Sequence, residues 1–361
     1  MDLLQYPLKS AKQVARSYLK FFRNSTPISN KDLNNILKNW NIEDFKDKKI
    51  PMGASTHNWV LESPDGKYIL RNAGSYRQHI ELQILVLNKL VDCDFPYSIP
   101  KPQENRGSYY IKYRGNFWIL YRFIEGSIVD SLFDNISDSA KQLGVMVGKY
   151  HKITNTINYS HINYNPGINF DNRAIDSLRK SSDLMSQQKN RVQVEDLFLE
   201  KVNNIIQAGS SIPRDNIETI TSLPRIPVHC DFNEENILVS NGEIIGLIDF
   251  DALSIKPKIF DFQNALIHAA GTPNGLSWCR MKDFVKGYSS VLPLSNPELE
   301  VAYSLTVNQW AWTLAWMLEK RRSKNSRVSD LYLAHVINVL NSIVTQKDEF
   351  INQLFASATA S

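Results

Sequence analysis

Residues 228–261 read VHCDFNEENILVSNGEIIGLIDFDALSIKPKIFD, and their local structure follows almost position by position. Ile237-Leu238-Val239 and Ile244 to Ile248 are two short apolar runs that favour strands. Ser240-Asn241-Gly242-Glu243 lies between them. Asn-Gly is the strongest short hairpin signal, because both residues tolerate the positive φ of a type I′ turn. Asn236 then opens the first strand and Asp249 closes the second, and antiparallel pairing brings those ends side by side. A carboxamide thus stands next to a carboxylate, two hard oxygen donors suited to Mg²⁺. Asp231, upstream in His229-Cys230-Asp231, adds a second carboxylate and a candidate base.

This constellation resembles the catalytic core of the protein-kinase-like phosphotransferases. It is most similar to the aminoglycoside phosphotransferase and choline kinase group, whose pattern is H-x-D-x-x-x-x-N, a hairpin, then I-D-[FW]. Here these positions are His229, Asp231, Asn236 and Ile248-Asp249-Phe250. The resemblance implies an α+β fold of two lobes. The small lobe is an antiparallel β-sheet with one helix, and the large lobe is mainly α-helical. It implies ATP and Mg²⁺ as cofactors and a small-molecule hydroxyl as acceptor. Asp231 would orient that hydroxyl or accept its proton, and Asn236 and Asp249 would hold Mg²⁺ on the phosphates. His229 and Asp261 would support the catalytic loop. The group usually has G-D-P before the closing aspartate, whereas this chain has Lys256-Pro257-Lys258. Asp251 and Trp310 are candidates for contact with the acceptor. The segment from Gly287 through the aromatic helix looks most like the homoserine-kinase-like and amino-sugar kinase branches.

Upstream, Ile50 to Asn72 alternates with period two around Gly53-Ala54-Ser55-Thr56 and a turn at Ser63-Pro64-Asp65-Gly66. In the resembling families such a small-residue loop covers the ATP phosphates with backbone N–H groups, which makes Gly53 and Ser55 nucleotide-binding candidates. Arg71 stands where those families have a strand lysine. Arginine keeps the charge and can fork onto two phosphate oxygens, but it is bulkier. Gln78 to Leu90 has helical spacing. Glu81 is its first carboxylate and aligns with the helix glutamate that pairs the strand cation in the resembling folds, so the resemblance implies an Arg71–Glu81 pair. Tyr121, Arg122 and Phe123, before Glu125-Gly126, resemble the hinge that binds the adenine edge. The expected organisation is an N-terminal helical extension over 1–28, a nucleotide-binding lobe over 29–125 and a catalytic and substrate-binding lobe over 126–361.

The composition is that of an ordinary globular protein of 361 residues, 43% hydrophobic and 22% charged. A net charge of +4 is too small at this size to argue for nucleic acid. Three cysteines, far apart and odd in number, suit reduced thiols in the cytoplasm. No apolar run of about 18 residues predicts membrane insertion. The basic stretch Lys9 to Arg23 reads as a helix packed on the body, with a membrane or partner surface as its alternative. Leu299 to Glu319 is expected as a buried aromatic helix, Leu331 to Val344 as an amphipathic one, and the alanine-serine tail as frayed. A rival reading is a catalytically inactive nucleotide-binding scaffold or sensor. Arg71 supports it, and intact Asp231, Asn236 and Asp249 oppose it. The acceptor's identity, the choice of ATP or GTP and the oligomeric state stay open.

Overall fold

The computed structural model describes residues 28–42, 44–50, 57–128, 138–162, 172–209, 212–322 and 328–359, with 164, 168 and 170 between them. The basic N-terminal stretch, Gly53 and Ser55 lie outside the described residues. Five strands form one antiparallel sheet: β1 (Lys46–Ile50), β2 (His57–Ser63), β3 (Gly66–Asn72), β4 (Ile111–Tyr113) and β5 (Asn116–Arg122), in the order β1-β2-β3-β5-β4. The alternation of strand residues decides which face each one meets. Trp59, Leu61, Tyr68, Leu70, Trp118 and Leu120 point to one side and pack on Leu33, Ile36 and Leu37 of helix α1 (Asn30–Leu37). Ser29 caps α1, its hydroxyl accepting from the Asp32 N–H at 3.1 Å. Ile69, Ile119 and Tyr121 point to the other side, toward helix α2 (Arg77–Asp92) and the main core. Arg71 shares that second face, because it lies two residues from Ile69 and opposite Ile119.

The remainder is mainly helical. It comprises α3 (Ser139–Thr154), α4 (Arg173–Ser186), α5 (Gln193–Gly209), α6 (Arg214–Ser222), α7 (Ile259–Ala270), α8 (Trp278–Ser289), α9 (Asn296–Arg321), α10 (Asp330–Thr345) and α11 (Lys347–Thr359). Short strands β6 (Ser127–Ile128), β8 (Ile237–Ser240) and β9 (Glu243–Leu247) make a small sheet, and β7 (Arg225–Val228) pairs with β10 (Ser254–Pro257). α9 starts at a capping box, Ser295 with Glu298, followed by Pro297 in its first turn. Among the described residues no helix is long and apolar enough to cross a membrane.

The sheet thus has a helix on each face, α1 on one and α2 on the other. One expectation needs correction. The C-terminal tail is not frayed over most of its length: α11 runs to Thr359, because Phe350 and Leu354, one turn apart, are both buried.

Helices α3 and α8 cross unusually closely, and two glycines permit it. A Cβ on Gly144 would meet the Phe284 carbonyl oxygen at 2.1 Å, and one on Gly287 would meet that of Lys141 at 2.3 Å. Both clashes are with backbone, so no side-chain rotation relieves them. Gly287→Ala is therefore expected to force the helices apart and lower the unfolding free energy by about 3 kcal/mol. Urea unfolding followed by circular dichroism measures it, and a loss under about 0.5 kcal/mol would show that the crossing yields without cost.

Candidate active site

The hairpin β8–β9 positions the site. Its turn is built at Asn241 (φ 52°) and Gly242 (φ 79°), the two positive dihedrals of a type I′ turn. The ladder pairs Ile237 with Leu247, and the Ile248 N–H donates to the Asn236 carbonyl at 2.9 Å. That last bond fixes Asn236 beside the chain entering Asp249. Both edges of the hairpin are anchored. β6 pairs with β8, and Ser98 takes the β9 side, its N–H donating to the Ile245 carbonyl at 2.7 Å and its carbonyl accepting from Leu247 at 2.9 Å. Gly246 allows this approach, since a Cβ there would lie 2.8 Å from the Ser98 carbonyl oxygen.

Asp231 lies in the loop before the hairpin. Its carboxylate accepts from Asn233 Nδ2 at 2.7 Å and from Asn236 Nδ2 at 2.8 Å. Asn236 Nδ2 also donates to the Asp231 carbonyl at 2.9 Å, so its amide is locked with Oδ1 turned the other way. Burial pushes the Asp231 carboxyl above the usual carboxylate range, against the pull of His229 and Asn236. The loop itself is strained at Cys230 (φ 64°). Asp261, fully buried at the start of α7, holds it there by accepting the N–H groups of His229 at 2.7 Å and Cys230 at 2.6 Å. His151 of α3 adds a third bond to Asp261 through Nε2 at 3.1 Å, and its Nδ1 meets the Tyr288 hydroxyl at 2.9 Å. Asp261 can only accept, so Nε2 carries the hydrogen. His229 is fixed by Nε2 on the Ile248 carbonyl at 3.2 Å and by the rings of Phe232 and Phe250.

Arg71 reaches across from β3 to the end of the hairpin. Its guanidinium pairs with Asp249 at 2.9 Å and also with Asp251. Burial alone would lower the Arg71 pKa, but Asp251 and Asp249 raise it further, so the charge is permanent. Burial likewise opposes ionisation of Asp249, and Arg71 reverses this and holds its carboxyl below the usual range. The expected Arg71–Glu81 pair does not form. Glu81 bonds Arg77 at 2.8 Å and the Tyr110 hydroxyl at 3.2 Å. Helical phase explains it, because two residues along α2 is a rotation of about 200°. The side of α2 that faces the hairpin carries Gln83 and His79, which bond the Phe250 carbonyl at 3.0 Å and the Leu253 carbonyl at 3.1 Å. Neither residue stood out in the sequence, since neither carries a fixed charge.

The hinge candidates are placed on β5 and just past it. The Arg122 N–H donates to the Lys101 carbonyl at 3.2 Å and the Phe123 N–H to that of Lys67 at 3.0 Å, so those amides are not available to a ligand. Tyr121 is buried on the Arg71 face, and burial raises its phenol pKa, which keeps it protonated.

A cavity of about 420 Å³ lies beside the loop that carries Asp231, with Cys230 in its lining. Cys230 brings the loop to it, and Phe260, Trp310 and Trp312 give it aromatic walls. The ring of Trp310 is braced by His268 at 5.4 Å, which in turn pairs with Glu234 at 2.9 Å. Burial drives the Cys230 thiol pKa up to about 12, so it is no nucleophile. Asp251, an acceptor-side candidate, does not line this cavity and is taken by Arg71. Asn264 and Lys256, which do line it, were not singled out for the acceptor, because the cavity exists only once α7 and α9 meet.

Among the described residues no group of three or more His, Cys, Asp or Glu could hold a metal alone. Asn236 and Asp249 nevertheless fit Mg²⁺ on phosphates, a site needing few protein oxygens because the nucleotide supplies others. The cation already resting on Asp249 and Asp251, the Arg71 guanidinium, shows that this end of the hairpin calls for positive charge.

Comparisons with known proteins bear on the family and the fold. The model of a family described as the phosphotransferase enzyme family matches residues 46–283. No curated protein matches the chain. Among solved structures, a spectinomycin phosphotransferase in complex with ADP and spectinomycin is 17% identical, with a TM-score of 0.66 over 91% of this chain and 100% of that one. An aminoglycoside phosphotransferase from Alicyclobacillus acidocaldarius is 12% identical, with a TM-score of 0.67 over 94% and 99%. A microcompartment-associated aminopropanol kinase is 14% identical, with a TM-score of 0.61 over 90% and 99%. At such identities the likeness is one of fold.

Proposed function

Because the chain belongs to the phosphotransferase enzyme family, we propose that it transfers the γ-phosphoryl group of ATP to a hydroxyl of a small molecule, with Mg²⁺ as cofactor. The observation that carries this reading is the hairpin that sets Asn236 beside Asp249 while the same amide of Asn236 grips Asp231. One rigid unit thus holds two candidate metal ligands and a candidate base in fixed relation. Asn236 Oδ1 and Asp249 would hold Mg²⁺, which when bound neutralises charge on the phosphates. Asp231, raised by burial and held by two amides, orients the acceptor hydroxyl and takes its proton as the oxygen bonds phosphorus. Arg71 supplies a permanent cation on the nucleotide side. The cavity lined by Cys230, the residue before Asp231, receives the acceptor. The nucleotide-binding lobe over 29–125 and the catalytic lobe over 126–361 remain part of this reading, with Gly53 and Ser55 as phosphate-loop residues and Tyr121 and Phe123 near the adenine. So does a cytoplasmic location.

Asp249→Ala tests the nucleotide half. Calorimetric titration with ATP in Mg²⁺ is expected to show binding weakened about 30-fold or more, with a much smaller change when the metal is chelated. Equal ATP affinity in the variant and the parent with Mg²⁺ would remove Asp249 from the metal site. An intact Mg·ATP site with no turnover on any acceptor would favour the scaffold reading.

A further inference from the structure

The cavity beside the catalytic loop differs in charge from what a polycationic acceptor needs. Among the described residues that line it, none carries a carboxylate, and one, Lys256, carries an ammonium. Its neighbour two residues on gives the contrast. Lys258 pairs with buried Glu298, so its charge is spent on holding the start of α9. Lys256, on β10, instead holds its Nζ 5.2 Å over the ring of Phe260 in the cavity wall. Among the described residues no carboxylate lies in ion-pair range of it. A second cation, Arg173, stacks 5.4 Å over Trp312, another wall residue.

The uncharged groups complete the picture. Trp310 and Trp312 offer flat apolar faces. Asn264 and Gln309 offer amides, and the buried Asn264 Oδ1 has no hydrogen-bond partner. A buried orphan acceptor is costly unless a ligand donates to it. An incoming hydroxyl is such a donor.

We infer that the acceptor is a hydroxylated molecule bearing an anionic group, a carboxylate or a phosphate, with Lys256 as the anchor of that group, and not an amine-rich one. The inference rests on the kinase reading for the word acceptor, but the cavity's preference for charge does not. A cation brought against the Phe260 wall would meet Lys256, which has no carboxylate partner among the described residues, whereas an anion there gives Lys256 a partner and leaves the acceptor's hydroxyls to Asn264 and, at the loop, to Asp231.

The test uses the full chain and tryptophan fluorescence, because Trp310 and Trp312 report on the cavity directly. The probes are gluconate and glucose 6-phosphate as anions, glucose as the neutral form and kanamycin as the polycation, each with and without Mg²⁺ and a non-hydrolysable ATP analogue. Saturable quenching by at least one anionic probe is expected, with glucose at least about 10-fold weaker and kanamycin without effect. Which anion saturates separates carboxylate from phosphate. Lys256→Glu is expected to weaken the anionic probe about 30-fold or more while Lys256→Arg retains it, with the nucleotide affinity unchanged in both. Quenching by kanamycin, equal binding of glucose and the anions, insensitivity to Lys256→Glu, or no response to either anion would each overturn the inference. Nucleotide binding, measured in the same samples, reports separately on the kinase reading: its loss with an intact Lys256-dependent response would sink that reading and leave the cavity's charge preference standing.

Discussion

Asp231→Ala is expected to lower acceptor-dependent turnover by about three orders of magnitude while Mg·ATP affinity stays within a few-fold. The split follows from where the carboxylate is held. Asn233 and Asn236 grip it at 2.7 and 2.8 Å. Arg71 and Asp249, the groups assigned to the nucleotide, pair with each other and not with Asp231. Removing the carboxylate therefore takes the base and the hydroxyl's orientation and leaves the phosphate side intact. Asp231→Asn is a stricter variant. It keeps the volume, cannot accept a proton, and sets an amide N–H against the donors of Asn233 and Asn236. A comparable loss is expected from it, in kcat more than in KM. The measurement is ADP release under saturating nucleotide with an acceptor found by screening. A variant within tenfold of the parent would mean that another group serves as the base, or that none is needed.

The parts of this site legible in the sequence are those fixed by local rules. Asn241-Gly242 specified its turn, and the turn specified that the Asn236 and Asp249 ends come together, although a bulge between Leu238 and Val239 shifts the register by one residue on the way. The long aromatic helix was likewise legible, expected over 299–319 and observed over Asn296–Arg321, with Ser295 and Glu298 setting its start. What escaped depends on contacts between distant segments. Glu81 was matched to Arg71 by charge, but the phase of α2 is set by Ile80, Ile84 and Leu87 in the core, and this turns Gln83 toward a carbonyl 167 positions away. The Gly144–Gly287 crossing needs the knowledge that α3 meets α8. The helix at the C-terminus had a readable signal, Phe350 and Leu354 one turn apart, which its alanine-serine end obscured.

Asp261→Asn is expected to lower the stability of the whole chain by about 3 kcal/mol and to cut turnover as well, although Asp261 touches no reacting atom. The carboxylate is fully buried and accepts three hydrogen bonds, from the N–H groups of His229 and Cys230 and from His151 Nε2. An amide has one acceptor oxygen, and its NH₂ would have to face a donor that has no other partner. Two buried polar groups would then be left unsatisfied, at about 1–3 kcal/mol each. The functional loss comes from the strain that these bonds sustain. Cys230 has a positive φ, a conformation that a non-glycine residue holds only under constraint, and the residue after it is Asp231. Once Asp261 no longer grips the two N–H groups, Cys230 relaxes and the Asp231 carboxylate moves with it. The signature is a fall in kcat with little change in nucleotide affinity, seen at temperatures well below the variant's own unfolding midpoint. Removing the third donor by His151→Ala in the Asp261→Asn background should cost less than it does in the parent, because the two residues share one network. Full additivity of the two substitutions, or an Asp261→Asn protein with parental kcat, would show that the loop holds its shape without this carboxylate.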